Sequence, residues 1–363
     1  MTIDAGLKPG SAEVLALFES GRRAYVDSAT YGLPPRATVH ALQRALEAWQ
    51  TGAAVWEEDW EPAGDLCRSE IAPILGAPAD EIALVPAVSV GVGPVAAALG
   101  PEDEVVVPDD EFHSLLLPLV AVAERRGARV RQVPFAEVAG AVTPRTTLVA
   151  TSHVRSNGGG VQDLDAVAEA ARRVGARVVV DATHAAGLVP IDAAARGLDV
   201  VVAAAYKHLL CPRGVAFMRV APEVQRALAP VNASWVSTDP QTYYGGAADQ
   251  LAADARRFDV SLAWHPWVGA LESLRFLNAI PAEERRAWSV GLATDFAARL
   301  GVQATGSSFL CVPVRVPLDE LRRTLDEADV AAAIRVGEAR ISFHVYNTPA
   351  DVDYVAAVLA PLV

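Results

Sequence analysis

The sequence predicts an α/β protein in which helices cover a large, mostly parallel sheet of seven strands and a small α+β domain follows. The first observation is that short Val-rich runs alternate with helix-like stretches, a rhythm typical of parallel sheets covered by helices. The second is that this rhythm stops in the last third of the chain. A chain of 363 residues, 52% of them hydrophobic, can bury a core of the size this arrangement needs.

Seven short apolar segments are predicted to be the strands. They span residues 82–86, 104–108, 129–134, 147–152, 176–181, 200–205 and 215–220. The run 200–205 has no polar face, so we expect it to be buried on both sides of the sheet. Residues 163–174 are predicted to form one covering helix, because Asp163 favours a helix start and Gly175 favours its end.

The last third of the chain predicts a smaller unit. Its expected elements are strands at 310–316 and 339–345 and helices at 318–327 and 350–362. No repeat or low-complexity linker separates it from the sheet, so we expect a long helix near 266–277 to join the two parts. The predicted organisation is an N-terminal segment 1–20, a large domain 21–265, and a connecting helix with a small C-terminal domain 266–363.

Composition excludes several classes of function. The net charge of -13 argues against a nucleic-acid partner, and the absence of a long apolar run argues against a membrane partner. The first ten residues lack a charged start followed by an apolar stretch, so we expect a cytoplasmic protein. The three cysteines, Cys67, Cys211 and Cys311, share no metal spacing, so we expect reduced thiols and no metal site.

Lysine is almost missing from this chain. Only two of the 31 Lys and Arg residues are lysines: Lys8 near the start, and Lys207 in the body of the chain. An amine can lose its proton and attack a carbonyl, which a guanidinium cannot. Compositional bias alone could leave one lysine behind. However, Lys207 follows the strand 200–205, at the carboxyl end where open α/β sheets place ligands, so we predict Schiff-base chemistry there.

Three further sites support this prediction. Asp181 ends a buried strand, where a carboxylate needs a cationic partner; a protonated pyridine nitrogen would serve, although an aspartate can also cap a helix. Val88 and Ser89 lie in a small-residue turn that leads into a helix, a common phosphate seat. Phe112 follows another strand and offers a flat face to a cofactor ring, although a phenylalanine there could also be core.

The chain resembles the class V aminotransferase family, pyridoxal-phosphate enzymes of fold type I that include cysteine desulfurases. The resemblance runs from Tyr25-Val-Asp-Ser-Ala-Thr30 to Arg340-Ile-Ser-Phe-His-Val-Tyr-Asn-Thr348. Its specific pieces are Asp181-x-x-His184, Tyr206-Lys207 with Pro212-x-Gly214, and Arg257-Phe-Asp-Val-Ser261. It implies a pyridoxal 5'-phosphate cofactor and a homodimer with a shared active site.

The resemblance also implies roles for individual residues. Lys207 would hold the cofactor as an internal aldimine and then move protons at the substrate α-carbon. The other implied cofactor contacts are Asp181 at the pyridine nitrogen, His184 near the ring oxygen, Phe112 stacked on the ring, Val88 and Ser89 at the phosphate, Tyr206 beside the lysine, and Ser261 at the partner's phosphate. Either Ser156 or Asn157 would approach the ring oxygen.

For the substrate, the resemblance implies that Arg340 binds the α-carboxylate, with Thr30 and Tyr31 nearby and Arg335 as a weaker match. Fork-to-carboxylate contacts suit arginine. Trp56, Trp60 and Trp235 are expected either to shape the pocket or to serve as packing.

Departures from the family decide the expected reaction. No cysteine lies between Val312 and Arg340, and Cys311 lies in an apolar run where a thiol would be inert, so desulfuration through a protein persulfide is not expected. Val88 and Ala204 stand where hydroxyl residues are common. The middle segment, from Ala233 to Tyr244, is similar to the epimerase-like and ergothioneine-pathway C-S lyase branch. We therefore expect β-elimination of the C-S lyase type, with transamination or epimerisation as alternatives and a non-catalytic protein as the least favoured.

Overall fold

The computed structural model describes residues 6–246 and 250–363. Residues 1–5 of the predicted N-terminal segment lie outside the described residues. Among the residues that the structure describes, no helix is long and apolar enough to cross a membrane.

The strands of the described residues are short and mostly buried. In chain order they are β1 (Ala24–Tyr25), β2 (Ile82–Val85), β3 (Glu104–Pro108), β4 (Arg129–Val133), β5 (Leu148–Ser152), β6 (Arg177–Asp181), β7 (Val200–Ala204), β8 (Ala216–Val220), β9 (Phe309–Val312), β10 (Val330–Ala331), β11 (Ala333–Arg335) and β12 (Glu338–Ser342).

The α-helices lie mostly between these strands and after them. In chain order they are α1 (Ala12–Leu15), α2 (Arg36–Thr51), α3 (Trp56–Asp59), α4 (Pro62–Leu75), α5 (Val88–Ala97), α6 (His113–Arg126), α7 (Leu164–Val174), α8 (Ala193–Arg196), α9 (Pro222–Gln225), α10 (Trp264–Asn278), α11 (Ala282–Leu300), α12 (Leu318–Glu327) and α13 (Pro349–Leu359).

The predicted seven-stranded, mostly parallel sheet is confirmed. Its strand order is β2-β8-β7-β6-β5-β3-β4, and only β8 runs antiparallel to its neighbours. Every residue of β7 is buried, as its apolar run predicts. Helix α7 begins where predicted, because the Asp163 side chain accepts a hydrogen bond from the Ala166 amide, and it ends at left-handed Gly175.

The topology brings the chemically interesting residues to one edge. Strands β2, β3, β5, β6 and β7 run in the same direction, so their carboxyl ends meet there. These ends lead respectively into Val88, Phe112, the Ser152 region, Asp181 and Lys207. This is the edge at which open parallel sheets bind ligands.

A second, three-stranded sheet of order β11-β12-β9 lies in the C-terminal part. It carries Arg340 on β12, opposite Cys311 on β9. Residues 24–27 pair with this C-terminal part, because β1 pairs with β10 and Asp27 bridges to Ser342. Helix α10 covers the predicted connecting stretch, whereas the 19-residue helix α11 was not predicted. The division into domains at residues 20 and 265 stays a prediction.

Candidate active site

Lys207 lies three residues beyond β7, with only 6% of its surface exposed. Its Nζ is 2.7 Å from His184 Nε2 and 5.4 Å from the centroid of the Phe112 ring. All three side chains line one cavity of about 100 Å³, which Asp181 and Ser156 also line. The structure therefore brings together the predicted lysine, its carboxylate and the aromatic face.

The surroundings of Lys207 favour a neutral amine. Burial lowers the pKa of Lys207 to about 7, and the positive charges of Arg340 and Arg335 act in the same direction against the opposing charge of Asp181. A neutral amine is the nucleophilic form that attacks a carbonyl.

Asp181 is the last residue of β6 and is 4% exposed. Its Oδ1 accepts a hydrogen bond of 2.8 Å from the Thr183 amide, and within the described residues no Lys, Arg or His nitrogen lies within 4.0 Å of the carboxylate. Burial raises its pKa, with the nearby Lys207 charge opposing this. A buried carboxylate that faces a cavity without an ion-pair partner suits a cationic ring nitrogen.

His184 connects the lysine to the loop after β5. Its Nε2 lies 3.3 Å from Ser156 Oγ as well as 2.7 Å from Lys207 Nζ. Burial and then the Lys207 charge lower its pKa well below the ordinary value, so the imidazole is neutral and its Nε2 can accept a hydrogen bond. Ser156 lines both this cavity and the next one, whereas Asn157 lines only the second.

Glu111 is a buried carboxyl group that sequence reasoning missed. Its Oε1 accepts hydrogen bonds from Ser152 Oγ at 2.5 Å and the Phe112 amide at 2.7 Å, and its Oε2 accepts one from the Ser152 amide at 2.7 Å. Burial raises its pKa to about 7, and the Asp181 charge adds to this. These bonds tie the Phe112 segment to the end of β5, which fixes the ring beside Lys207. The only signal in the sequence was its position next to Phe112.

Phe112 and Val88 mark two sides of the first cavity. Phe112 begins helix α6 and keeps 45% of its surface exposed, which leaves a ring face free. Val88 is the first residue of α5, whose amino end has no capping side chain, so amide groups there are available for an anion. Ser89 follows at the second position of α5 with an exposed side chain.

A second cavity of about 490 Å³ adjoins the first and shares Lys207, Tyr206 and Phe112 with it. Arg340 lines this cavity and is 3% exposed, and its Nη2 donates a 2.6 Å hydrogen bond to Thr30 Oγ1. Its Nε is buried without a hydrogen-bond partner among the described residues. A guanidinium group whose Nε has no hydrogen-bond partner is suited to a carboxylate ligand, which can accept two hydrogen bonds from arginine.

Arg335 and Tyr31 line different cavities, Arg335 the second cavity with Arg340 and Tyr31 a third one. The exposed Arg335 donates to the same Thr30 Oγ1 at 3.3 Å, so two guanidinium groups converge on one hydroxyl. Tyr31 lines a neighbouring cavity that Thr30 and Tyr206 also line, and not the Arg340 cavity.

Ser261 lies outside the Lys207 cavity of its own chain. It is exposed, and its Oγ accepts a 3.3 Å hydrogen bond from Trp235 Nε1. The segment before it is anchored by the buried Asp259, which pairs with Arg68 at 2.7 Å and accepts a hydrogen bond from the Leu84 amide. This anchor holds the segment beside the end of β2, and it too was missed from the sequence.

The three tryptophans discussed above pack against one another and their neighbours. Trp56 contacts Trp235 edge to face and stacks on Trp264, which also contacts Trp60. None of them lines either of the two cavities around Lys207.

The three cysteines are free thiols, and Cys211 lines the neighbouring cavity that Tyr31 and Tyr206 also line. Cys67 and Cys211 are buried, and burial raises the pKa of both thiols. Burial also raises the pKa of the half-buried Cys311. None of the three lines the cavities around Lys207.

Comparison with known proteins agrees with this geometry. Residues 24–304 match the family described as aminotransferase class-V. Isopenicillin N epimerase of Streptomyces clavuligerus is 30% identical over 81% of this chain and 83% of its own. The uncharacterized aminotransferase YcbU of Bacillus subtilis is 28% identical over 86% of this chain and 88% of its own.

Solved structures share the fold. The cysteine desulfurase CsdA of Escherichia coli superposes with a TM-score of 0.82 and 23% identity, covering 97% of this chain and 99% of that one. The cystine C-S lyase C-DES superposes with a TM-score of 0.86 and 20% identity, covering 94% and 98%.

Proposed function

The chain belongs to the class V aminotransferase family of pyridoxal-phosphate-dependent enzymes, and we propose that it catalyses β-elimination from an α-amino acid, as a C-S lyase does. The observation that supports the proposal most is that the buried amine of Lys207 and the unpaired carboxylate of Asp181 share one cavity. Sequence reasoning reached the same pair from the near absence of lysine and from the ends of two strands.

The residues present fit the cofactor. Asp181 would hold the pyridine nitrogen, Phe112 would cover the ring, His184 and Ser156 would lie at the ring oxygen, and the amino end of α5 with Val88 and Ser89 would take the phosphate. Lys207 would be the point of covalent attachment. When bound, pyridoxal phosphate supplies an electron sink that stabilises negative charge at the α-carbon.

The chain's own residues would do the rest. Arg340 would bind the α-carboxylate through the arm that has no partner, with Thr30 fixing the other arm at 2.6 Å. This contact would orient the α-hydrogen toward Lys207, whose Nζ would take the proton from the α-carbon. His184 would stay neutral and accept a hydrogen bond from that amine.

Elimination needs no second protein nucleophile. The α C–H and β C–S bonds break, one water is taken up, and the products are pyruvate, ammonium and a thiol. Desulfuration through a protein persulfide needs a reactive cysteine at the site, and the three thiols of this chain lie elsewhere with raised pKa values. A structural neighbour named a cystine C-S lyase is in keeping with this choice.

The finer parts of the assembly are also proposals. We infer a cytoplasmic homodimer in which Ser261 reaches the cofactor phosphate of the partner subunit, because Ser261 lies outside the cavity of its own chain. Sedimentation of the purified protein at twice the chain mass is the expected result, and a monomer at micromolar concentration would refute it.

A panel of β-substituted amino acids tests the reaction. We expect stoichiometric pyruvate and ammonium from a β-thio-substituted substrate without any added keto acid. Strict dependence on a keto acid would instead establish an aminotransferase. Exchange of the α-hydrogen for solvent deuterium without net product would establish an epimerase, the activity named for one relative.

A further inference from the structure

Arg213 is a cation to which neither the family resemblance nor the proposed function gives a role. It lines both the cofactor cavity and the adjoining Arg340 cavity, and its guanidinium carbon lies 5.2 Å from the centroid of the Tyr206 ring. Within the described residues no carboxylate lies within 4.0 Å of its guanidinium. Arg213 is exposed at the rim of these cavities, so its guanidinium is open to an anionic ligand.

The backbone around Arg213 is fixed. Pro212 precedes it, and Gly214 follows in the left-handed region with φ of 97°, leading into β8. The Tyr206 ring is near both cationic groups, because Lys207 Nζ lies 5.9 Å from the same ring centroid. The arginine is therefore placed by its neighbours and not by an ion pair.

The first cavity has few other groups that could bind a dianion. Pro86, Ala87, Val88 and Ala204 line it and bring no side-chain donor. Of the cavity's hydroxyl groups, Ser152 donates to Glu111, Thr183 accepts from the Ala204 amide, and Ser156 contacts His184. The hydroxyl groups of Ser114 and Tyr206 are left, and both are neutral donors.

No other guanidinium in the described part of the chain lines this first cavity. A phosphate carries close to two negative charges, so a guanidinium that lines the same cavity can add a charge-assisted contact to those of the helix-end amides. Arginine also offers two parallel donors to a phosphate, which a single hydroxyl cannot do.

We propose that Arg213 binds the phosphate of pyridoxal phosphate and so replaces the hydroxyl groups that Val88 and Ala204 lack. The inference rests on the cofactor, which the family establishes, and not on the reaction catalysed. It also explains why a cavity poor in hydroxyl groups at that end can retain the cofactor.

The test is binding of two aldehydes that differ only in the phosphate. Apo-protein is titrated by absorbance with pyridoxal phosphate and with pyridoxal, without any amino acid. Both aldehydes react with the same Lys207, so the ratio of their dissociation constants isolates the phosphate. For Arg213→Gln we expect the dissociation constant of pyridoxal phosphate to rise at least tenfold and that of pyridoxal to change less than twofold.

Two further variants complete the test. Arg213→Lys should recover part of the lost affinity for pyridoxal phosphate, because it keeps the charge. Arg226→Gln removes an exposed arginine on another face and should leave both constants unchanged. If Arg213→Gln weakens both aldehydes equally, or leaves pyridoxal phosphate binding intact while raising the KM of the amino acid, the proposal is wrong. Neither result depends on whether the enzyme eliminates or transaminates.

Discussion

At the scale of single residues, the site depends on two side chains whose charge the protein controls in opposite ways. Lys207 is kept close to neutral because it is buried beside two arginines. Arg340 stays charged although burial lowers its pKa, because a guanidinium starts far above neutral pH. The neutral form of the first side chain can therefore attack a carbonyl, while the charged form of the second is suited to an anion.

The pKa of Lys207 gives a pH dependence that can be measured on apo-protein. With a pKa of about 7, most Lys207 amines are neutral and reactive at pH 8. This neutral fraction falls as the pH drops through 7. The rate at which apo-protein combines with pyridoxal phosphate should therefore rise about tenfold between pH 6 and pH 8. Stopped-flow absorbance measures this rate. A rise centred near pH 10 would show an ordinary, solvated lysine.

Arg340 and Arg335 form a matched pair for testing carboxylate binding. Arg340→Gln removes a buried charged contact of about 1.5–3 kcal/mol, so KM for the amino acid should rise by about tenfold to a hundredfold. Arg335→Gln removes an exposed cation and should cost less than about 1 kcal/mol, or about fivefold in KM. Steady-state kinetics on the same substrate compares them. Equal effects, or a larger effect at Arg335, would contradict the assignment of the carboxylate site to Arg340 and would favour Arg335, at the end of β11.

At the scale of elements, the segment after β1 packs against the loop after β7 and is hydrogen-bonded to it. The Gly32 amide donates a 2.9 Å hydrogen bond to the Tyr206 carbonyl oxygen. A Cβ at Gly32 would lie 2.3 Å from the Lys207 carbonyl oxygen, so only glycine allows the two backbones to approach this closely. The position of the lysine therefore depends on a contact between segments far apart in the sequence.

Gly32→Ala tests this contact. The added methyl group collides with backbone, so the free energy of unfolding should fall by about 1–3 kcal/mol, and less cofactor should be bound per chain. Denaturant unfolding and absorbance of the bound cofactor measure the two effects. Gly21→Ala is the control, because nothing lies within 4 Å of its Cβ. Equal behaviour of the two variants would mean that the Gly32 contact does not hold the lysine loop.

Much of this element-level arrangement could be predicted from the sequence, and what could not has a physical reason. Buried strands are recognisable in the sequence as Val-rich runs. The ends of the two strands that lead to Asp181 and Lys207 were therefore predicted to within one residue. Strand order and the reversed direction of β8 leave no local mark, because they depend on which strands meet in space. The bond from Ser152 to Glu111 joins residues 41 positions apart, and no local pattern marks it.

At the scale of the whole molecule, the site is assembled from separate parts of the chain. Thr30 comes from the segment after β1, Asp181 and Lys207 come from the large sheet and the loop after it, and Arg340 comes from the three-stranded sheet. The bridge from Asp27 to Ser342 and the pairing of β1 with β10 fix the first of these parts to the third. Carboxylate binding by Thr30 and Arg340 would therefore require the first and third parts to stay together.

The near absence of lysine makes the central claim directly testable. Reduction of the purified holoenzyme with borohydride, followed by digestion and mass spectrometry, locates the amine that carries the cofactor. The chain offers only Lys207, Lys8 and the N-terminal amine. We expect one pyridoxyl adduct per chain, on the peptide containing Lys207, and no adduct in Lys207→Ala. An adduct on Lys8 or on the N-terminus, or one that persists in Lys207→Ala, would contradict the account.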